Sequence, residues 1–372
     1  MIPQRLLDAA PPDADVAVRA PGRANLIGEH TDYNDGFVLP IALEAATYIL
    51  GRRRARLVRL SSLQEPGEVT VDLASGTGPR RGWGRYVTAV VRALRDASVA
   101  LEGLDGVVHS EIPPGAGLSS SAALEVAVAL ALSAQPMEPV RVAEICRRAE
   151  QAYVGVEVGI MDQLTSAAGR AGRALLIDCR DNSIEPVPVP DGVAIVVIDS
   201  GVRRNLAGSA YNERRTQCRF AAAALGVASL RSATLTDIGR AGLDGVSLRR
   251  ARHVVTENQR VVSAAEALRR SDVSALGALM YASHESLGRD YEVSTPELDA
   301  LVASARATEG VFGARLTGAG FGGCTINLVD RTLAPKAAAD IERRYRAETG
   351  RSVRCWVTRP ADGAALIPLK RS

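Results

Sequence analysis

The chain has 372 residues, of which 47% are hydrophobic and 23% charged, and its 45 basic and 42 acidic side chains leave a net charge of +3. These values fit a globular protein of about two domains and exclude a disordered chain or a strongly basic nucleic-acid binder. Five widely spaced cysteines, with no C-x-x-C pair, indicate free thiols. The first residues lack a signal-peptide pattern and no apolar run could span a bilayer. We therefore expect a cytoplasmic protein with no membrane or nucleic-acid partner.

The apolar pattern predicts a mixture of strands and helices along the whole chain. A first strand is expected at 16–19, ending at Ala20-Pro21-Gly22, and the continuously apolar strand at 192–199 should be central in its sheet. The other predicted strands are 36–39, 46–50, 57–60, 106–112, 173–178, 313–316, 324–329 and 353–358. The predicted helices are 82–96, 119–132, 140–153, 161–168, 211–225, 249–270, 273–287, 295–307 and 335–349. This mixture indicates an α/β or α+β class.

A glycine- and serine-rich segment, PPGAGLSSSAA at 113–123, lies between a predicted strand and a predicted buried helix. Glycines let the backbone approach an anion closely, and a helix start offers unpaired N–H groups with partial positive charge. One serine would suffice to cap the helix, so three in succession favour a phosphate-binding loop. The segment is not a Walker A loop, since no Gly-Lys-Ser/Thr follows, and no early G-x-G-x-x-G supports a dinucleotide-binding oxidoreductase.

The most polar segment of the chain is PGRANLIGEHTDYNDG at 21–36. It places an arginine, asparagines, carboxylates and a histidine within thirteen residues, and sugars are bound by such dense, directional donors and acceptors. A solvated loop is the alternative. The apolar pair Leu26 and Ile27, followed by an apolar strand, favours a ligand site.

Two further segments are ambiguous when each is taken alone. TGAGFGGC at 317–324 fits a tight hairpin as well as a ligand-binding loop. GIMDQ at 159–163 places Asp162 in an apolar setting, where it could be a general base or could cap the helix that follows.

In this order, the segments resemble the GHMP small-molecule kinases and, within them, the galactokinase family. RANLIGEHTDY at 23–33 resembles the galactokinase signature, PGAGLSSSA at 114–122 the phosphate loop, and LTGAGFGGC at 316–324 the third motif. The segments WGRYV at 83–87, YNERRTQC at 211–218 and RHVVTENQRV at 252–261 are also similar to galactokinases. The resemblance implies an α+β two-domain fold with the active site between the domains. A ribosomal-protein-like βαβ domain would cover 1–185, with its boundary near the proline-rich stretch 181–191, and a ferredoxin-like domain would cover 186–372.

The resemblance also implies a reaction and a role for each matching residue. The γ-phosphoryl group of ATP would pass to the 1-OH of galactose, giving galactose 1-phosphate and ADP and bringing galactose into sugar metabolism. Asp162 matches the catalytic base, and Arg23 matches the arginine that stabilises the transition state and keeps that base ionised. Ser121 and Glu150 match the Mg²⁺ ligands. Sugar contacts are expected from Glu29, His30, Thr31, Asp32 and Tyr211. ATP contacts are expected from Gly115, Ala116, Gly117, Leu118, Ser119, Ser120 and Ser121.

One departure from the family pattern leaves the sugar preference open. Galactokinases usually resemble G-V-P-C before GIMDQ, whereas this chain has Glu157 and Val158 in place of the proline and cysteine. A GHMP kinase for N-acetylgalactosamine or arabinose is therefore an alternative, and so is a catalytically silent, sugar-responsive regulator. The complete phosphate loop favours an active kinase. We expect a monomer, with a weak homodimer as the alternative.

Overall fold

The computed structural model describes residues 2–202 and 207–369. In these residues the strands are β1 (Val16–Asn25), β2 (Phe37–Val38), β3 (Pro40–Arg54), β4 (Leu57–Ser62), β5 (Glu68–Asp72), β6 (Gly103–Ser110), β7 (Arg173–Asp178), β8 (Ser183–Pro188), β9 (Val193–Asp199), β10 (Val311–Thr317), β11 (Cys324–Asp330), β12 (Arg354–Thr358) and β13 (Ala365–Leu366). The α-helices are α1 (Gln4–Ala9), α2 (Gly84–Asp96), α3 (Ser120–Leu132), α4 (Pro139–Ala149), α5 (Met161–Ala168), α6 (Ala207–Ala224), α7 (Leu235–Arg240), α8 (Gly245–Arg269), α9 (Val273–Arg289), α10 (Pro296–Arg306) and α11 (Ala334–Thr349). A π-helical turn at Glu150–Val154 continues α4, and 3₁₀ turns lie at Asp32–Asn34 and Leu230–Ser232.

The first half of the chain is built on a six-stranded sheet in the order β13-β1-β3-β6-β4-β5. Its pairs are antiparallel except β4 with β6. The apolar face of α2 and the almost entirely buried α3 pack against this sheet and form one core. Because α3 is apolar on all sides, it can begin at the phosphate loop and then run through the interior, as predicted.

The first strand is longer than the sequence predicted. β1 continues through Pro21 and Gly22 to Asn25, with a bulge in its pairing to β3 between Pro21 and Arg23. Bulges accommodate proline and glycine within a strand, which explains why the expected stop does not occur. A Cβ on Gly22 would lie 2.7 Å from the carbonyl oxygen of Leu118, so this glycine lets β1 approach the phosphate loop. The extension places Arg23 in the wall of the cavity described below, and Asn25 is fully buried.

The second half is built on a four-stranded antiparallel sheet in the order β10-β11-β9-β12. β9 is buried along its whole length between β11 and β12, which confirms the predicted central strand. Helices α10 and α11 share a core with this sheet. A third sheet, β2-β7-β8, includes β8 in the proline-rich stretch. The predicted domain boundary between residues 185 and 186 falls inside β8 and stays a prediction.

The mixture of helices and sheets confirms the α+β class. A large apolar cluster joins the two halves of the chain. It combines Leu26 and Ile27 from the first half with Val197 and Ile326 from the four-stranded sheet and Val261 from α8. Among the residues that the structure describes, the five cysteines form no disulfide. None of the helices in the described residues is both long enough and apolar enough to cross a bilayer.

Candidate active site

A cavity of about 620 Å³ opens where the two halves meet. Its walls come from the polar segment, the phosphate loop, the GIMDQ segment, α6 and the third motif. These segments are far apart in the sequence, and the fold brings them to one place. Residues predicted from separate segments therefore meet in one cavity.

Asp162 and Arg23 form an ion pair in the cavity. Nε and Nη2 of Arg23 lie 2.8 and 2.6 Å from Oδ1 of Asp162, and Nη1 donates to the carbonyl of Gly117 at 2.7 Å. The hydroxyl of Ser119 donates to Oδ2 of Asp162 at 2.6 Å. No side chain caps α5, so Asp162 does not act as the helix cap that the sequence also allowed. The carboxylate is instead held in the cavity with its charge matched by Arg23.

The phosphate loop presents backbone and hydroxyl groups to the same cavity. Gly115, Gly117 and the three serines at 119–121 line it, whereas Ala116 and Leu118 are buried beneath. No side chain caps α3, so its first N–H groups remain available to an anion. Ser119 has a left-handed backbone, with φ of 59°, a conformation costly for a residue with a side chain and common at functional sites. That turn directs its hydroxyl to Asp162 rather than to the helix.

Four of the five predicted sugar contacts, Glu29, His30, Asp32 and Tyr211, line the cavity. Thr31 does not, because its hydroxyl is buried within 2.8 and 2.6 Å of the carbonyls of Gly28 and Phe37. Thr31 therefore closes the loop that carries its neighbours. Its place in the structure is that of a support for the cavity wall.

Glu29 is the centre of a buried ionic network. Its Oε2 lies 2.6 Å from Nη2 of Arg315 and 2.7 Å from the amide of Asn25, and its Oε1 accepts from the N–H of Gly318 at 2.8 Å. Burial raises the pKa of Glu29, and the Arg315 charge opposes that rise. Arg315 also donates to the Asn25 carbonyl at 3.0 Å, so one arginine of β10 ties the end of β1 to the third motif.

His30 is fixed by contacts on both ring nitrogens. Nε2 lies 3.2 Å from the carbonyl of Ala319 and Nδ1 lies 2.8 Å from the hydroxyl of Tyr33. Because a carbonyl can only accept, Nε2 is the donor in its contact with Ala319. Tyr211 lies against His30, with ring centroids 5.6 Å apart. Burial and the Asp32 charge raise the pKa of Tyr211 well above its usual value, so its hydroxyl stays a neutral donor.

Asp32 sits in a narrow place opposite Gly159. A Cβ on Gly159 would overlap the Asp32 carboxylate, so only glycine leaves room for this acid. Burial, reinforced by the charge of Asp162, raises the pKa of Asp32 to about 6, while Arg23 and Arg215 oppose the rise. A polar ligand that hydrogen-bonds to the ionised carboxylate would compensate for this burial.

The predicted metal ligands are one residue of the phosphate loop and one buried carboxylate. Ser121 lines the cavity, and Glu150 is buried just behind, where its Oε2 accepts from the amide of Gln163 at 2.9 Å. Within the described ranges 2–202 and 207–369, no cluster of three or more metal-binding side chains exists. A hydroxyl, one carboxylate and substrate phosphates are the oxygen donors that suit Mg²⁺, which keeps several waters and seldom needs a protein cage.

Helix α8 supports the polar segment from below. Glu257 accepts from the N–H of Gly28 at 2.9 Å, Asn258 accepts from the N–H of Phe37 at 2.7 Å, and His253 lies 3.1 Å from the carbonyl of Glu29. Burial alone would raise the pKa of Glu257, but the charge of Arg260 and hydrogen bonds lower it to about 2. The segment 252–261, to which the sequence assigned no role, is thus the scaffold of the polar segment.

The departure at residues 157–158 is divided between the surface and the cavity. The exposed Glu157 carboxylate lies 3.2 Å from Nη2 of Arg215 on α6, and its carbonyl accepts from the same guanidinium at 2.6 Å. Val158 lines the cavity. Glu157, in place of the proline, therefore attaches this segment to Arg215 of α6. Val158, in place of the cysteine, forms part of the cavity surface.

Several residues of the site had not been predicted. Glu125 is fully buried, and the amide of Gln163 donates to both Glu125 and Glu150, at 3.1 and 2.9 Å. Arg85 and Tyr86 line the cavity. A charge inside an apolar run is the signal that could have identified Glu125 in α3 and Arg315 in β10. No comparable signal marks Arg85, the second residue of the amphipathic helix α2.

Comparisons with known proteins agree with this geometry. Residues 7–53 match the galactokinase galactose-binding signature, 85–170 match the N-terminal domain of GHMP kinases and 264–347 match their C-terminal domain. Galactokinases of Roseiflexus sp. and Chloroflexus aggregans are 45% and 46% identical over 95% and 94% of this chain and 93% of each relative. The crystal structure of Lactococcus lactis galactokinase complexed with galactose superposes with a TM-score of 0.90, at 33% identity and 95% coverage of both chains. The chain therefore belongs to the galactokinase family of the GHMP kinases.

Proposed function

We propose that this protein transfers the γ-phosphoryl group of ATP to the 1-OH of galactose, giving galactose 1-phosphate and ADP. The observation that carries the proposal is the position of Asp162, which Arg23 and Ser119 hold between the phosphate loop and the polar wall of the cavity. Phosphoryl transfer depends on positioning and charge neutralisation more than on covalent chemistry. The match to the galactose-binding signature and the Lactococcus relative support galactose as the acceptor.

In the proposed step one bond forms, one bond breaks, and a side chain of this protein accepts the released proton. The galactose O1 attacks the γ-phosphorus, the new O1–P bond forms, and the bond from the γ-phosphorus to the bridging oxygen of ADP breaks. Asp162 takes the proton of the 1-OH, either as a base or late in the step while it mainly orients the hydroxyl. Arg23, already bound to Asp162 and to the Gly117 carbonyl, offsets the charge that develops on the transferred group.

The ATP phosphates are proposed to lie over residues 115–121. The uncapped N–H groups of α3 and the serine hydroxyls offer hydrogen bonds, and the helix start adds partial positive charge. Ser121 and Glu150 would hold Mg²⁺ together with the phosphates. When bound, the ion neutralises phosphate charge. The contribution of the protein to this part of the site is orientation, since Gln163 fixes the Glu150 carboxylate.

Galactose is proposed to lie against Glu29, His30, Asp32 and Tyr211. These groups offer carboxylate acceptors and donors from rings held by buried contacts, which suits the directional hydroxyls of a hexose. Thr31 would act through the loop backbone. We infer that sugar preference is shaped by Val158, which replaces the family cysteine in the cavity wall.

The test is ADP release with Mg-ATP and a panel of galactose, glucose, N-acetylgalactosamine, arabinose, mevalonate and homoserine. Turnover mainly with galactose supports the whole proposal. Turnover with another acceptor would support kinase activity and show that galactose is not the acceptor. A Val158→Cys variant would then show whether residue 158 causes the different preference. Sugar binding without any turnover would overturn the kinase and favour the silent regulator. The expected monomer is checked by sedimentation of the same sample.

A further inference from the structure

Arg85 is a cavity residue for which the reaction described above has no use. It lies in the first turn of α2 within the segment WGRYV, whose Trp83 and Val87 pack into the core of the first half. Arg85 lines the same cavity as Ser119, Ser120 and Ser121, and Tyr86 both packs against that core and lines the cavity. The segment therefore has a structural face and a face toward the site.

The guanidinium of Arg85 is held but not neutralised. Its Nη2 donates to the Tyr86 hydroxyl at 2.9 Å, and its central carbon lies 4.8 Å from the centre of that ring. A cation packed on an aromatic ring loses part of its freedom without losing its charge. In the parts of the chain that the structure describes, no carboxylate lies within 4.0 Å of Arg85, whereas other exposed arginines such as Arg59 and Arg343 do have such partners.

The charges of the cavity point to the kind of ligand this cation would take. Arg23 is engaged by Asp162, and Arg315 behind the wall is engaged by Glu29. Arg85 lines the cavity together with Ser119, Ser120 and Ser121, where α3 begins without a side-chain cap. A cation beside the phosphate loop faces the region where the polyphosphate of a nucleotide would lie.

We propose that the positively charged Arg85 binds the negatively charged phosphate groups of the nucleotide. It would add to the contacts that the phosphate loop makes. The proposal rests on the ATP-dependent function proposed above. A guanidinium suits this role because its N–H groups can bind two phosphate oxygens at once. The alternative is a solvated helix arginine that only happens to border the cavity.

The experiment measures the affinity of ATP, ADP and AMP by calorimetry, with Mg²⁺ and without sugar, for the wild type, Arg85→Ala and Arg85→Lys. A charge-assisted phosphate contact predicts that Arg85→Ala weakens ATP binding about 10- to 100-fold, ADP less and AMP about 2-fold or less. Arg85→Lys should recover part of the loss, since it keeps the charge and loses the fork. Galactose affinity, measured in the same way, should not change.

The matched control is Arg81→Ala, which removes an exposed arginine four residues earlier that does not line the cavity. It should leave all three affinities within about 2-fold, as is usual for an exposed charge. Equal losses for AMP and ATP would overturn the proposal in favour of a contact to the base or ribose. Unchanged ATP affinity in Arg85→Ala would also overturn the proposal, because Arg85 would then be a solvated helix residue that only borders the cavity. If the wild type bound no nucleotide, the proposed function itself would fail, whereas the preceding two results leave it intact.

Discussion

Breaking the buried ion pair between Glu29 and Arg315 by removing one partner should destabilise the fold strongly, and Arg315→Met tests this. The two side chains are 2% and 0% exposed, and the nitrogen and oxygen lie 2.6 Å apart. Methionine is an unbranched apolar side chain of somewhat smaller volume, so the substitution removes the charge and leaves only a small void. Removal of one partner from a buried pair leaves the other charge uncompensated, which typically costs about 3–5 kcal/mol.

The structure indicates where the cost arises. After loss of Arg315, Glu29 keeps the Asn25 amide and the Gly318 N–H, but burial already raises its pKa and the main opposing charge is gone. The folded protein must then keep an unpaired carboxylate or take up a proton. A double variant with Glu29→Gln should therefore be more stable than Arg315→Met alone, because a neutral amide needs no cation.

The assay is urea unfolding at pH 7 of the wild type, both single variants and the double variant. Lys336→Met is the control, since Lys336 and Glu309 are only 2.7 Å apart but 61% and 71% exposed, and its unfolding midpoint should not change measurably. A loss below about 1 kcal/mol for Arg315→Met would refute the reasoning. So would a double variant that is no more stable than Arg315→Met.

Three further predictions concern the reaction and its dependence on pH. Asp162→Asn should lower turnover about 100- to 10,000-fold, and Arg23→Ala at least about 100-fold, without loss of the folded far-ultraviolet circular dichroism; near-normal turnover in either would remove that residue from the mechanism. The pKa of Asp32 in the free protein is raised to about 6, and the ionised form is the better acceptor for sugar hydroxyls. Galactose affinity should therefore fall about tenfold per pH unit below 6, ATP affinity should not, and Asp32→Asn should bind galactose weakly without this dependence; a flat wild-type profile contradicts the role. Because the pKa of Glu257 is lowered to about 2, its stabilising effect is complete above the ordinary value of 4.5 and lost as pH falls toward 2. Urea unfolding at several pH values should show a smaller acid-induced loss in Glu257→Gln than in the wild type, and equal slopes would argue against the pairing with Arg260.

Local patterns predicted much of this fold because each depends on neighbours in the sequence. The spacing of Val87, Val90 and Leu94 indicated α2, and the all-apolar run after the serines indicated a buried α3. The four glycines at 318–323 indicated a turn, and each has a positive φ in the hairpin between β10 and β11. The glycine-rich and charged segments therefore located three walls of the cavity before any contact was known.

Contacts between distant segments could not be predicted in the same way. β13 is only two residues long and exists because it pairs with β1, more than 340 residues earlier. β8 lies in a proline-rich stretch that reads as a loop, and pairing with β7 makes it a strand. Arg315 has no charged neighbour in the sequence, and its partner Glu29 lies in the other half of the chain. Such residues become interpretable only when the fold places them together.

The contacts of the polar segment explain why the separated motifs act as one site. Arg23 binds Asp162 and the Gly117 carbonyl, so the phosphate loop and the proposed base share one anchor. Glu29 binds the Gly318 N–H, which attaches the third motif to the same segment, and α8 holds that segment through Glu257. A residue at this junction therefore has two effects, one on its own ligand and one on the positions of the other motifs. Separate measurements of sugar affinity, nucleotide affinity and turnover are needed to distinguish a residue that contacts a ligand from one that supports the site. Thr31 lies beneath the wall, so its substitution should change all three quantities together.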